Sequence, residues 1–163
     1  MELFQEYREK AKKNIINADH MLCVTYPLVK DLKLLPAIID NIFQAYQNAM
    51  SAALYHGKLF KTVPAFNESF EGKINMFKDK IASIHGIDNK YIMDMQSLRD
   101  FISQHKKSPM EFVRKDKFVI CNDGYEMKAI GLPDIHNYLN KAKVFIQLMD
   151  KLTSKDERIF RQS

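Results

Sequence analysis

The sequence predicts an all-α fold: an antiparallel up-and-down helical bundle of four to five helices with one small β-hairpin before the last helix. Three observations predict it. Apolar residues recur at three- and four-residue spacing through most of the 163 residues, the period of a helix that buries one face. Only five glycines and five prolines punctuate the chain, which favours long regular elements over a loop-rich sandwich. The period changes once, at about residues 117–130, where β-branched and aromatic residues flank an Asp-Gly pair, a hairpin signal.

Phe4, Tyr7, Ala11, Ile15, Ala18 and Leu22 predict a first helix from Glu2 to Thr25. Pro27 should kink or end it, because proline lacks a donor and clashes with the preceding turn. The second helix, Leu34 to Phe60, carries Leu35, Ile38, Ile39, Ile42, Tyr46, Met50 and Leu54. Along it Ala45, Ala49, Ala53 and Gly57 recur every fourth residue, a small ridge suited to close helix approach, either within the chain or at a dimer seam. A third helix over Asn67 to Ile84 has Phe70, Ile74, Phe77, Ile81 and Ile84 as its stripe. Gly86 reads as its cap, and Asp88 or Asn89 as the cap of the next helix. That fourth helix carries Ile92, Met95, Leu98 and Ile102, and the polar run from Ser103 to Pro109 should end it.

Lys117–Cys121 and Tyr125–Ile130 then read as hairpin strands around Asn122-Asp123-Gly124, whose residues tolerate the positive φ angles of a tight turn. A lone hairpin is marginal and must lie against the helices. The last helix starts at Pro133-Asp134 and carries Ile135, Tyr138, Leu139, Ala142, Phe145, Ile146, Met149 and Leu152. Residues 1–152 therefore form one helical-bundle domain, and 153–163 a charged, frayed tail. A single domain of this length buries about 70% of the surface of its unfolded chain.

Composition narrows the function classes. Hydrophobic residues are 46% and charged residues 28% of the chain, an ordinary globular balance. No run reaches the 18 or so apolar residues of a membrane span. The charged, periodic N-terminus is unlike a signal peptide. Cys23 and Cys121, far apart in apolar surroundings, read as reduced core thiols, which fits a cytoplasmic protein. A net charge of +5 favours anionic partners.

The five histidines never fall three or four residues apart, so no local zinc pair exists, and no Glu-x-x-His is present for a di-iron bundle. Walker and Gly-x-Gly-x-x-Gly loops are absent. Ser103-x-x-Lys106 matches a nucleophile pattern without its companion motifs. No metal or cofactor is expected.

What carries chemistry is Arg99-Asp100 with His105, toward the end of the fourth helix. Arginine grips phosphate with a fixed, two-pronged charge, and histidine trades protons near neutral pH. A basic stretch follows: Lys106, Lys107, Arg114, Lys115 and Lys117, against only Glu111 and Asp116. In an unbroken helix, Arg99 and His105 lie about 120° apart. They meet at one phosphate only if the helix loosens near Ser103 or two subunits pool their residues.

These three positions resemble the signature of the HEPN superfamily: arginine, a polar residue, then histidine after four to six residues. The order of parts, long antiparallel helices followed by a short extended segment and a final amphipathic helix, is similar as well. The resemblance implies a metal-independent endoribonuclease working as a homodimer, and in some members a toxin beside a nucleotidyltransferase-like antitoxin. His105 would then act as general base on the ribose 2′-hydroxyl and Arg99 would stabilise charge on the phosphate. Asp100 would orient one of them. Lys106, Lys107, Arg114, Lys115 and Lys117 would hold the RNA backbone. The alternative is a non-catalytic helical module for interaction or dimerisation, built from the same bundle and using the small ridge on the second helix.

Overall fold

A computed structural model describes residues 1–107, 110–114, 117–121 and 127–162, with side chains at 107, 110–114, 121, 127–128 and 155–162 outside the description. Helix α1 comprises Leu3–His20, a π-helical turn Met21–Thr25 and a last turn Tyr26–Val29. Helix α2 is Leu34–Leu59. Helix α3 comprises Phe70–Phe77, a second π-helical turn Lys78–Ala82, and Ser83–His85. Helix α4 is Asn89–Lys107, and α5 is Leu132–Gln162. Between α4 and α5 lie β1 (Met110–Arg114), β2 (Lys117–Cys121) and β3 (Met127–Gly131). The bundle class and its helices are those that the periodicity predicts.

The long α2 is the central element, with α1 and α5 packed along it. Its whole predicted stripe is buried, and so is the ridge Ala45, Ala49, Ala53 and Gly57. The small residues serve close packing within the chain. At Gly57 a Cβ would collide with Val63, because the chain turns back tightly there through hydrogen bonds from Thr62 and Val63 N–H to the Gly57 carbonyl. Phe145 of α5 sits at the centre of the core with Tyr46, Phe77 and Tyr91 around its ring.

Several expectations need correction. Pro27 does not end α1. The π-helical turn just before it widens the helix, with Tyr26 N–H reaching back to the Met21 carbonyl, and the helix runs on to Val29. A π turn inserts one extra residue, which gives the proline ring room. In α3 the π turn has the opposite consequence. Seven steps from Phe77 to Ile84 rotate like six, leaving Ile84 about 120° off the buried stripe, and it is 68% exposed. Cys23 is exposed, not a core thiol. Desolvation and the nearby Asp19 carboxylate raise its pKa. The side chain of Cys121 is outside the described residues.

The sheet has three antiparallel strands in the order β1-β2-β3, not two. The expected β2–β3 hairpin is present, with Phe118 opposite Ile130 and Cys121 opposite Met127; its turn, and Tyr125, lie outside the described residues. The extra strand pairs Met110 with Cys121 and Arg114 with Lys117. A third strand gives the hairpin the support that two strands lack. Phe118, Ile120 and Ile130 join the helical core. Finally, α5 continues to Gln162 where a frayed tail was expected after Thr153. Thr153 is fully buried, its hydroxyl donates to the Met149 carbonyl, and Arg8 of α1 reaches both Thr153 and Ser154.

Among the described residues, no helix is long and apolar enough to cross a membrane.

Candidate functional site

Helix α4 is capped as predicted: the Asp88 carboxylate accepts from the Lys90 N–H at 2.9 Å. The helix ends at Lys107, within the polar run of residues 103–109 expected to end it, but it stays helical through Ser103 and His105. Without loosening near Ser103, Arg99 and His105 keep the roughly 120° separation of a regular helix. Their surroundings differ accordingly. Arg99 faces α3, with its guanidinium 4.5 Å from the centroid of the Phe70 ring and in an ion pair with Glu71. That hydrogen bond lowers the pKa of Glu71.

His105 turns instead toward the sheet and the start of α2. Its imidazole lies edge-on to Phe118 at 5.8 Å between centroids, beside a recess of about 270 Å³ shared with Pro36, Ala37 and Asp40. Within one chain the two residues are not brought together. Asp100 is exposed, next to Arg99 in sequence. Lys106 and Lys117 are exposed. Lys107 ends α4 and Arg114 ends β1, with their side chains outside the described residues, as is Lys115 entirely.

The structure assembles two polar clusters that local spacing does not reveal. The first joins α2, α4 and α5. The nearly buried Asp94 carboxylate accepts from the Tyr46 hydroxyl at 3.1 Å and from Lys141 Nζ at 2.8 Å. It borders a cleft of about 380 Å³ that also touches Ser97, Asn137 and Tyr138. Burial, reinforced by Asp94, pushes the Tyr46 phenol far above its ordinary pKa, and burial also raises Tyr138. With a donor on each Asp94 oxygen, this carboxylate clamps three helices together and is poorly placed to accept a substrate proton.

The second cluster surrounds the buried Lys73 of α3. Its Nζ donates to Ser51 at 3.1 Å and lies 5.4 and 5.6 Å from the rings of Tyr7 and Tyr55. Those two rings stack at 5.2 Å, and the Tyr55 hydroxyl donates to Glu68. Desolvation lowers the Lys73 pKa, while the Glu68 charge works against that shift. A lysine ammonium held over two ring faces is a cation–π arrangement that offsets part of its burial cost.

Among the described residues, no group of three or more His, Cys, Asp or Glu converges to hold a metal ion. The surface of α1 is unusual in another respect. Ile16, Val24, Leu28 and Val29 are 65%, 46%, 81% and 61% exposed. They fall outside the helix's buried stripe, and that mismatch was the available sequence signal. No family model, no curated protein and no solved structure matches the chain.

Proposed function

We propose that this chain is a non-catalytic helical module that associates with a second copy of itself through the exposed face of α1. The observation that carries the reading is the run Ile16, Val24, Leu28 and Val29, left in water along one helix. A contiguous exposed apolar patch with polar residues at its edges marks an interaction surface. The π-helical turn is what brings the two ends of the run onto one face. In a straight α-helix, twelve steps would carry Leu28 about 120° around from Ile16. With one residue absorbed by the π turn the rotation falls to about 20°.

A two-fold axis at the level of Leu22 makes this stripe self-complementary. Antiparallel pairing sets Ile16 against the partner subunit's Leu28 and His20 against the partner subunit's Val24. At the ends, Lys13 comes opposite the partner subunit's Asp31. Lys13 and Asp31 are both exposed in the single chain, so the pairing joins opposite charges at both ends of the stripe, as an isologous interface allows. The stripe is only about 18 Å long, which suits a dimer forming at micromolar concentrations.

Sedimentation equilibrium at about 10–100 µM should show a monomer–dimer equilibrium, shifted to monomer by Leu28→Glu. Both variant and wild type should keep the same helical circular dichroism, because Leu28 touches no core. A wild type that stays monomeric at 100 µM, or a Leu28→Glu variant that dimerises as well as wild type, would overturn the proposal.

The competing reading, a metal-independent endoribonuclease of HEPN type, draws on the residue types at Arg99 and His105 and on the exposed Lys106 beside them. It requires one subunit's Arg99 to meet the other's His105. RNA cleavage in EDTA, lost in both Arg99→Ala and His105→Ala, would establish it. The absence of such cleavage is expected for the module.

A further inference from the structure

We infer that the chain binds a linear aliphatic carboxylate in the cavity between the end of α2, the π-helical turn of α3 and the C-terminal half of α5. The cavity measures about 480 Å³, within the range of small-molecule sites. Ala53, Ile81, Leu148 and Leu152 supply apolar lining, His56, Thr62 and His85 add polar groups, and the exposed Lys80 and Lys151 border it. Among the described residues, no aspartate or glutamate lines it. Both lysines are exposed, and among the described residues neither forms an ion pair. A largely apolar recess bordered by two exposed lysines, with no carboxylate among its described lining, matches a ligand with an aliphatic body and one anionic head. A partner helix, about 10 Å across with its side chains, is the wrong shape for a chamber of this volume.

The opening is built by a local irregularity of the backbone. The π turn Lys78–Ala82 takes Ile84 out of the core stripe and sets it beside the cavity, 68% exposed. A regular helix would have pointed Ile84 inward with Phe77. π turns recur at functional sites because they re-aim side chains in this way. The exposed Ile84 side chain extends the apolar wall to the surface, where the aliphatic chain enters.

The head group and the chain make separable contributions. Each added methylene that enters the cavity should tighten binding about fourfold, the equivalent of about 0.8 kcal/mol per buried methylene. The carboxylate should account for the difference between decanoate and the uncharged decanol.

Isothermal titration of the full chain with octanoate, decanoate and decanol tests both parts. Decanoate should bind more tightly than octanoate and at least fivefold more tightly than decanol. The double variant Lys80→Gln/Lys151→Gln should remove most of the preference for decanoate over decanol. Ile84→Glu, a change at an exposed position that leaves the fold intact, should weaken decanoate at least tenfold by placing a like charge at the opening. No heat of binding with 1 mM decanoate, equal affinity for decanoate and decanol, or unaltered decanoate binding in both variants would each overturn the assignment. The oligomeric state of α1 variants does not enter this test.

Discussion

Replacing Phe145 by alanine removes the side chain on which the whole bundle converges. Its ring is fully buried, with centroids of Tyr46, Phe77 and Tyr91 at 5.2, 5.8 and 5.5 Å. Those neighbours come from α2, α3 and α4, so the substitution opens a void bounded by four of the five helices. Core Phe→Ala changes cost about 3–5 kcal/mol, depending on how far the site collapses. Collapse is restricted here because Tyr46 is tied by its hydroxyl to Asp94, itself held by Lys141. Each lost aromatic pair adds a fraction of about 0.5–1.5 kcal/mol beyond area burial. A loss of about 4–5 kcal/mol follows, a large part of the total stability of about 5–15 kcal/mol for a natural domain. At about 2–4 °C per kcal/mol for a chain of this size, the melting temperature should fall by roughly 10–15 °C. Urea melts followed by circular dichroism at 222 nm measure the loss, with Phe145→Leu as a milder variant that keeps most of the volume. A loss below about 1 kcal/mol for Phe145→Ala would mean that Phe145 is not at the centre of the core.

Two further outcomes follow from the same geometry. The Tyr46 phenol has its pKa raised above the ordinary value of 10 by burial and by Asp94, so the folded state holds its proton where the unfolded state releases it. Its stability contribution is complete below about pH 10 and is lost as the pH rises beyond it; Tyr46→Phe should therefore lose less stability than wild type between about pH 10 and 11.5 in urea melts, and an identical alkaline loss would refute the assignment. Gly86 caps α3 at φ 66° with open space around it, so Gly86→Ala should cost about 1 kcal/mol through backbone strain alone, and Gly86→Asn clearly less; equal melting of wild type and Gly86→Ala would contradict it.

Apolar periodicity determined the bundle: the stripes of α1, α2, α4 and α5 became the core, because a helix with one apolar face has few other ways to bury it. The caps at Gly86 and Asp88 were legible for a similar local reason, since the hydrogen bonds and the φ angle concerned lie within a few residues. The Arg99, Asp100 and His105 motif was equally legible as residue types in order, but spacing along a chain does not say which neighbours a side chain meets.

Packing between distant segments decided the rest. Glu71 and Phe70 draw Arg99 toward α3, while Phe118 and the start of α2 take His105 the other way. Strand β1 exists because β2 offers it a free edge, a pairing that the five residues Met110–Arg114 scarcely advertise. Lys73 with Tyr7, Tyr55 and Ser51, and Asp94 with Tyr46 and Lys141, each draw on three helices. The two π turns belong with them. Each adds one residue to a turn at a cost in regular hydrogen bonding that only surrounding contacts can offset, and each changes which side chains face the core. Ile84 was turned outward in this way, and Leu28 was brought into line with Ile16. The sequence alone therefore determined which faces are apolar, whereas the tertiary structure decided which of them remain uncovered.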